Sequence, residues 1–300
     1  HGCLVGSEMC IRDSFIRGTG LQHRLSGEGQ LVIAETGFGT GLNFLAVIAE
    51  VLRQKSRTKI DFISVEGCPP SKQNVAAALR EFPELQKIFD EFLKKWPRRW
   101  LGVHHMSFLD GQISLHLHYG EAKEVLPTLD FSADIWFLDG FSPAKNPEIW
   151  SSEIIQQIAR LSVHKARLAT FTVAASVRSS LADAGFTCQR VAGFGRKRDM
   201  LIASYMKGFS LGKQLRPRRV LVIGGGIAGC AVAGGLKTLG IEAIILDAAA
   251  QEGAGASGNP AGIVVPFLTV GDTVGMRLSI SSFADTRAFL DAHDLIVSNG

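Results

Sequence analysis

Short apolar runs alternate with amphipathic stretches from Leu31 onward, and this alternation predicts strands separated by helices. Between the runs, apolar residues recur at helical spacing, as with Leu42, Leu45 and Ile48. Several runs are apolar without interruption, which is typical of parallel strands buried on both faces. The pattern therefore predicts an α/β fold with strands at 31–35, 60–65, 113–119, 135–139 and 168–173.

The pattern changes near residue 186. Segments 186–194 and 200–206 follow the last helix without room for a crossover, so they predict an antiparallel hairpin at the sheet edge. Residues 208–217 predict a linker, after which a second strand–helix–strand pattern covers 220–223, 227–239 and 242–247. We therefore expect a first domain at 15–207 and a second at 218–300, with residues 1–14 as a peptide foreign to the fold.

Composition narrows the class of protein. With 300 residues, 46% of them hydrophobic, the chain is long enough for about two globular domains, and a net charge of +4 decides little. Its five cysteines form no C-x-x-C pair, which argues against a disulfide framework or a zinc ribbon and predicts a cytoplasmic protein. The apolar runs are shorter than the roughly 20 residues of a membrane span, so we expect no membrane contact. Because the chain begins at His1 and stops without a closing pattern, we expect a fragment.

A glycine-rich turn joins the first predicted strand to the first helix, in the sequence E-T-G-F-G-T-G-L-N from Glu35 to Asn43. Glycines let a backbone turn sharply and approach a ligand, and a helix N-terminus offers N–H groups to it. A strand that ends in an acid before G-x-G-x-G is typical of a loop that binds S-adenosylmethionine. Glu66 ends the next strand, where a carboxylate accepts ribose hydroxyls. Glu121 follows a later strand and faces either an adenine amino group or solvent.

The motif W-F-L-D-G-F-S-P-A-K-N-P, residues 136–147, carries a candidate catalytic group. Its apolar strand delivers Asp139 to the carboxyl edge of the sheet, where ligands of open α/β folds bind. An aspartate there can accept a hydrogen bond from an amine nucleophile, orient its lone pair toward a sulfonium methyl and take its proton. The alternative is a plain turn cap.

The second domain opens with V-L-V-I-G-G-G-I-A-G, in which Gly224, Gly226 and Gly229 form G-x-G-x-x-G between a strand and a helix. Asp247 ends the next strand and completes a dinucleotide-binding fingerprint. The fingerprint alone does not separate NAD from FAD. Residues 255–262, G-A-S-G-N-P-A-G, resemble the segment that follows in amino-acid-oxidase-like flavoproteins, so the sequence predicts FAD.

Taken together, the motifs resemble the MnmC family of bifunctional tRNA wobble-uridine modification enzymes, over Phe15 to about Leu290. The resemblance is carried by residues 35–45, 136–147, 168–172, 183–186 and 193–200. One departure lies at residues 163–166, where Val-His-Lys-Ala replaces the Pro-Gly-Gly turn usual in the family.

The resemblance implies a class I S-adenosyl-L-methionine methyltransferase domain of Rossmann-like fold, followed by the truncated start of an FAD-binding Rossmann domain. In the family, the flavin half converts 5-carboxymethylaminomethyl-(2-thio)uridine of tRNA to the 5-aminomethyl form. The methyltransferase half then makes 5-methylaminomethyl-(2-thio)uridine, and we expect this chain to retain only that half. Asp139 would engage the substrate amine. The implied methyl-donor site comprises Glu35, Gly37, Gly39, Gly41, Glu66 and Glu121, and the implied FAD site comprises Gly224, Gly226, Gly229 and Asp247.

Two other functions stay open: a methyltransferase for a small-molecule amine fused to an unrelated oxidoreductase, and a non-catalytic tRNA-binding module. Arg196, Lys197, Arg198 and the linker bases Lys213, Arg216, Arg218 and Arg219 are candidate phosphate contacts or solvated surface. Trp96 and Trp100 are candidate base-stacking residues, although amphipathic packing explains them better. His116 and His118 share a strand face without a further ligand at metal spacing, so we assign no metal. We expect the protein to be a monomer.

Overall fold

The computed structural model describes residues 12–27, 29–80, 86–140, 143–193, 199–207, 217–271, 273–292 and 295. Contacts divide the chain into two compact units. The first comprises His1–Ser210 with Phe267–Gly300, and the second comprises Leu211–Pro266. The domain boundaries inferred from sequence remain predictions.

An eight-stranded sheet forms the centre of the first unit, in the order β3-β4-β2-β1-β5-β6-β8-β7. Strands β1, β2, β4, β5 and β6 are parallel to one another, whereas β3 pairs antiparallel with β4, and β8 pairs antiparallel with both β6 and β7. The predicted α/β fold and the predicted antiparallel hairpin at the sheet edge are therefore confirmed. The strands are β1 Gln30–Thr36, β2 Lys59–Glu66, β3 Gly102–Phe108, β4 Ile113–Tyr119, β5 Ala133–Leu138, β6 Ser162–Thr170, β7 Phe186–Ala192 and β8 Asp199–Tyr205.

Strand β6 differs from the prediction of 168–173, because it begins at Ser162 and ends at Thr170. Its pairing with β5 is irregular: Ala133 pairs with Ser162, but Ile135 pairs with Arg167. Lys165 lies in this irregular stretch with a φ of 64°, a left-handed conformation that breaks the alternation of a regular strand. The first half of the strand was therefore not predicted, because its side chains do not alternate regularly.

Helices cover both faces of the sheet, and each face has its own apolar core. One core contains Phe15, Phe44 and Phe62, and the other contains Trp136 and Ile155, all of them fully buried. Helices form where apolar spacing and a capping residue both predict them. In helix α6 (Ser152–Arg160), the Ser151 side chain caps the N-terminus by accepting a hydrogen bond from the Ile154 N–H. The first seven helices are α1 Leu21–Arg24, α2 Leu42–Gln54, α3 Lys72–Leu79, α4 Gln86–Lys95, α5 Ala122–Val125, α6 Ser152–Arg160 and α7 Ala175–Ala184, with a π-helix at Arg12–Arg17.

The second unit is a single strand–helix–strand arrangement, as predicted. Strands β9 (Arg219–Ile223) and β10 (Glu242–Leu246) pair in parallel, and helix α8 (Ile227–Thr238) connects them. Many of its apolar side chains are exposed, including Ile223 at 83% and Ile263 at 88%.

The last described helix, α9 (Val274–Ala292), belongs to the first unit. It lies against β3, where the Ser281 hydroxyl donates a hydrogen bond to the Val103 carbonyl. This contact places α9 at the edge of the large sheet.

Candidate active site

Four predicted acidic residues meet at the carboxyl edge of the large sheet. Glu35 lies near the end of β1, Glu66 ends β2, and Glu121 and Asp139 follow β4 and β5. These four strands are parallel neighbours, so their carboxyl ends lie together. The edge is also where ligands of open α/β sheets bind.

The glycine-rich loop runs from β1 to α2 and crosses the end of β2. Its three predicted glycines, Gly37, Gly39 and Gly41, have φ values of 85°, 55° and 80°. The Gly37 N–H donates to the Val65 carbonyl at 2.9 Å. The Gly39 N–H donates to the Glu66 carboxylate at 2.7 Å. The loop is thus held over the neighbouring strand, with the N-terminus of α2 immediately behind it.

The Glu66 carboxylate is fixed by two backbone groups. One oxygen accepts the Gly39 N–H, and the other accepts the Cys68 N–H at 2.8 Å. Each carboxylate oxygen has a second lone pair, so both remain able to accept a ligand hydroxyl. The Glu121 carboxylate lies beside this turn, since a side-chain carbon on Gly67 would be 2.9 Å from one of its oxygens.

Glu35 is buried, with 1% of its surface exposed. One carboxyl oxygen lies 2.7 Å from the Asn43 amide nitrogen, and the other lies 2.8 Å from the Ser64 hydroxyl. Burial raises the pKa of Glu35 to about 8, because removal from water penalises the charged form more than its hydrogen bonds favour it. Glu35 is therefore mostly a neutral carboxylic acid at neutral pH.

Asp139 follows β5 and is partly exposed. Its Oδ1 accepts the Gly140 N–H at 2.8 Å, and its Oδ2 accepts from the Asn43 amide at 2.9 Å. Asn43 is thus shared between Asp139 and Glu35. The sequence reasoning missed it, because a polar residue in the first turn of a helix is most simply explained by local capping.

The arrangement fits a cationic nucleoside ligand of the S-adenosylmethionine type. The loop between β1 and α2 is open at one glycine and tightly packed at another: a carbon on Gly39 would meet no heavy atom within 4 Å, whereas a carbon on Gly41 would lie 2.6 Å from the Phe92 ring. Glu66 provides acceptors for ribose hydroxyls, and the acidic edge favours a positive charge. In addition, the buried Asn43 Oδ1 has no hydrogen-bond partner within the described part of the chain.

The predicted dinucleotide turn lies in the second unit, between β9 and α8. A side-chain carbon on Gly229 would lie 1.8 Å from the Gly224 carbonyl oxygen, so only glycine permits this close approach of helix and strand. The Asp247 carboxylate accepts the Gly225 N–H at 2.6 Å, and this bond is the largest cause of its lowered pKa. The Ser257 hydroxyl accepts the Ile227 N–H at 3.0 Å, which places the predicted 255–262 segment at the start of α8. These contacts fit the adenosine diphosphate end of a flavin cofactor.

The two candidate stacking residues, Trp96 and Trp100, lie in different environments. Trp96 is buried and stacks on Phe38 with ring centroids 6.1 Å apart, so it belongs to the core. Trp100 is half-buried, with the Arg98 guanidinium 5.9 Å from its ring. Residues 141–142 of the 136–147 motif, the Arg196–Arg198 cluster and linker residues Lys213 and Arg216 lie outside the described residues.

His116 and His118 lie in β4, and the His116 Nδ1 is 2.8 Å from the Nδ1 of His105 in β3. Among the described residues, no group of three or more His, Cys, Asp or Glu side chains is arranged to hold a metal ion. Nor does any helix in the described ranges have the length and apolar character to cross a membrane.

Two family models match the chain. One, described as an S-adenosyl-L-methionine-dependent methyltransferase, matches residues 83–206. The other, described as an FAD dependent oxidoreductase, matches residues 219–298.

Curated relatives match the chain across both regions. The "tRNA 5-methylaminomethyl-2-thiouridine biosynthesis bifunctional protein MnmC" of Azoarcus sp. (strain BH72) is 40% identical over 267 residues, which is 88% of this chain and 42% of the relative. The protein of the same name from Nitrosospira multiformis is 40% identical over 281 residues, which is 92% of this chain and 45% of the relative. The chain therefore spans less than half the length of these relatives.

A solved structure, MnmC2 from Aquifex aeolicus, superimposes with a TM-score of 0.54 at 21% identity. The match covers 68% of this chain and 63% of that one, and it supports the fold alone.

Proposed function

The chain belongs to the MnmC family, and on that premise we propose that its first unit methylates an amine of tRNA with S-adenosyl-L-methionine as the donor. The acceptor is the exocyclic amine of 5-aminomethyl-(2-thio)uridine, and the product is 5-methylaminomethyl-(2-thio)uridine. The observation that supports this most directly is the pair Asp139 and Glu66 at one sheet edge, joined by the glycine loop. We propose the cytoplasm as the compartment and a monomer as the working form.

Asp139 is the residue we assign to the amine. The donor, when bound, supplies an electrophilic methyl group on a sulfonium. The Asp139 carboxylate accepts a hydrogen bond from the amine and orients the nitrogen lone pair toward that methyl group. As the N–C bond forms and the methyl–sulfur bond breaks, the donor leaves as a neutral thioether and Asp139 receives the proton that the nitrogen loses. Because both Asp139 oxygens are already oriented by hydrogen bonds, the carboxylate loses little freedom when the amine binds.

Glu66, Glu121 and the glycine loop are the residues we assign to the donor. Glu66 is positioned to accept the ribose hydroxyls, and Glu121 lies next to it. Their negative charge, together with that of Asp139, favours a cationic donor over its neutral product. This difference would help the product leave.

A basic segment at the same edge supports contact with a nucleic acid. Strand β3 runs antiparallel to β4, with Gly102 opposite Tyr119, so the residues just before β3 lie at the carboxyl edge. There, Arg98 and Arg99 are exposed, and the half-buried Trp100 has the Arg98 guanidinium 5.9 Å from its ring. Arginine next to an aromatic ring is a common combination for phosphate and base contacts.

We also propose that the second unit binds the adenosine diphosphate part of FAD through Gly224, Gly226, Gly229 and Asp247. FAD held there would supply the hydride acceptor for oxidation of the carbon beside a secondary amine, which converts the C–N bond to an imine. Hydrolysis of that imine by water would break the C–N bond of 5-carboxymethylaminomethyl-(2-thio)uridine, release the carboxymethyl carbons as an aldehyde and leave the 5-aminomethyl group. Binding of FAD to the protein, followed by its absorbance, tests this assignment separately from methyl transfer.

The test of the methyltransferase is transfer of a labelled methyl group to tRNA that carries 5-aminomethyluridine. We expect transfer to this tRNA and none to tRNA that lacks the aminomethyl group. Replacement Asp139→Ala should lower the rate about 10²- to 10⁴-fold, the usual effect of a positioned base, while binding of S-adenosylhomocysteine stays nearly intact. Methylation of free amines without tRNA would instead favour a small-molecule methyltransferase, and binding of tRNA without any transfer would favour a non-catalytic module.

A further inference from the structure

Asn43 lies in the first turn of α2 and is buried, with 5% of its surface exposed. Its amide nitrogen donates to Glu35 at 2.7 Å and to Asp139 at 2.9 Å. An amide NH₂ has two hydrogens, so both are committed to carboxyl groups.

These contacts fix the orientation of the Asn43 amide. If the amide were flipped, its oxygen would face the Asp139 carboxylate, and two acceptor oxygens would then lie against each other. The Asn43 Oδ1 is buried without a hydrogen-bond partner within the described residues. Such an acceptor costs about 1–3 kcal/mol, a penalty that an apolar residue of similar size would avoid. Packing alone therefore does not account for an asparagine here.

Glu35 serves as the buried anchor of this arrangement. With its pKa raised to about 8 by burial, it is mostly neutral at neutral pH. A neutral carboxyl group can accept from Asn43 through one oxygen and donate to the Ser64 hydroxyl through the other, in accord with both distances. Asp139 is then the negative charge that the Asn43 amide faces.

We propose that Asn43 is a positioning residue: its amide bridges the Asp139 carboxylate and the buried Glu35, and so fixes the orientation in which Asp139 meets the substrate amine. This inference rests on the proposed methyl transfer. The Asn43 amide nitrogen can only donate to this carboxylate, and such a bond is stronger when the acceptor carries a negative charge. The same bond fixes Oδ2, while Gly140 fixes Oδ1, so the carboxylate plane is set before substrate binds.

The test compares Asn43→Leu, which keeps the number and branching of the side-chain heavy atoms and removes both donors, with Asn43→Ser, which keeps one short donor. A matched control is Thr58→Val, which changes a buried residue and removes its partly buried hydrogen bond to the Gly27 carbonyl at the opposite edge of the sheet. The first measurement is the carbon-13 NMR titration of the Asp139 carboxyl group, whose signal is assigned from its absence in Asp139→Asn. The second is the pH dependence of methyl transfer, together with the affinity for S-adenosylhomocysteine.

In Asn43→Leu we expect Asp139 to titrate about one pH unit higher than in the wild type, since loss of a hydrogen bond to the charged form eases protonation. We expect the acid limb of the transfer rate to move by the same amount and kcat to fall about 10- to 100-fold. Affinity for S-adenosylhomocysteine should change less than about threefold, and Asn43→Ser should give intermediate values. Thr58→Val should leave the titration and kcat unchanged.

An Asp139 titration that is the same in Asn43→Leu and the wild type would overturn the inference, whatever the rate. So would an equal shift in Thr58→Val, since the effect would then come from general destabilisation. If the titration moves but the wild type transfers no methyl group to aminomethyluridine, the contact stands and the proposed function fails.

Discussion

A side-chain carbon on Gly37 would lie 2.7 Å from the backbone carbonyl oxygen of Asp139. The glycine loop and the candidate base are therefore in backbone contact, and the position of one sets the position of the other. A carbon atom does not fit at this distance, so one of the two segments would have to move.

We expect Gly37→Ala to destabilise the protein more than Gly39→Ala. Both glycines have positive φ, so alanine costs about 1–2 kcal/mol of backbone strain at either position. The contact with Asp139 adds to this cost at Gly37, whereas a carbon on Gly39 meets no heavy atom within 4 Å. Urea denaturation of the two variants measures the difference, and equal losses of stability would contradict the contact.

The buried Glu35 carboxyl group should make stability depend on pH. Its pKa rises from 4.5 to about 8 on folding, so between these values the native state binds more protons than the unfolded state. This contribution is fully present below about pH 4.5, declines as pH rises toward 8, and is absent above it.

Glu35→Gln should remove this pH dependence, because its amide accepts from Asn43 and donates to Ser64 as the neutral acid does. We expect the wild type to lose more stability than Glu35→Gln when denatured at about pH 8 rather than at about pH 5.5, values chosen around the raised pKa. Parallel losses in the two proteins would mean that Glu35 is ionised in the native state.

The sequence pattern was sufficient for the elements that have regular periodicity. Strands β1, β2 and β4 and the hairpin of β7 and β8 lie within about two residues of their predicted positions. Strand β3 was missed: its sequence G-V-H-H-M-S-F has two adjacent histidines, one buried and one exposed, and this hides the alternation. Its pairing with β4 supplies what local sequence does not show.

Within the candidate site, sequence placed the acids at strand ends but not their connections. Glu35, Glu66 and Asp139 were found because buried strands end at or near them. The link through Asn43 joins residues eight and 96 positions apart, a relation that only the folded chain reveals. The burial of Glu35 could not be predicted from the sequence either, because the motif alone does not show how many neighbours cover a carboxyl group.

Lys165 occupies a position where glycine would be less strained. Its φ of 64° costs a residue with a side chain about 1–2 kcal/mol. We expect Lys165→Gly to stabilise the protein by up to about 1 kcal/mol, since the flexibility that glycine adds to the unfolded chain offsets part of the gain.

Replacement of a regular β6 residue, Arg167→Gly, is the contrasting variant and should destabilise, because Arg167 also bonds the Ser204 hydroxyl. Thermal unfolding of both variants measures the signs, and a lower melting temperature for Lys165→Gly would show that its side chain contributes more than the strain costs.

The basic segment before β3 should make binding of tRNA depend on salt. Each phosphate contact that Arg98 or Arg99 makes releases counterions, so removal of one contact should flatten the slope of log affinity against log salt by about one. We expect this change in Arg98→Ala and Arg99→Ala, and a larger change in the double variant.

Lys59→Ala is the control of equal charge, because Lys59 begins β2 at the opposite edge of the sheet and its side chain is exposed. Filter binding of tRNA across a range of salt concentrations gives the slopes. If Lys59→Ala flattens the slope as much as the arginine variants do, net charge alone governs binding; if none of them changes it, the tRNA contacts lie elsewhere on the chain.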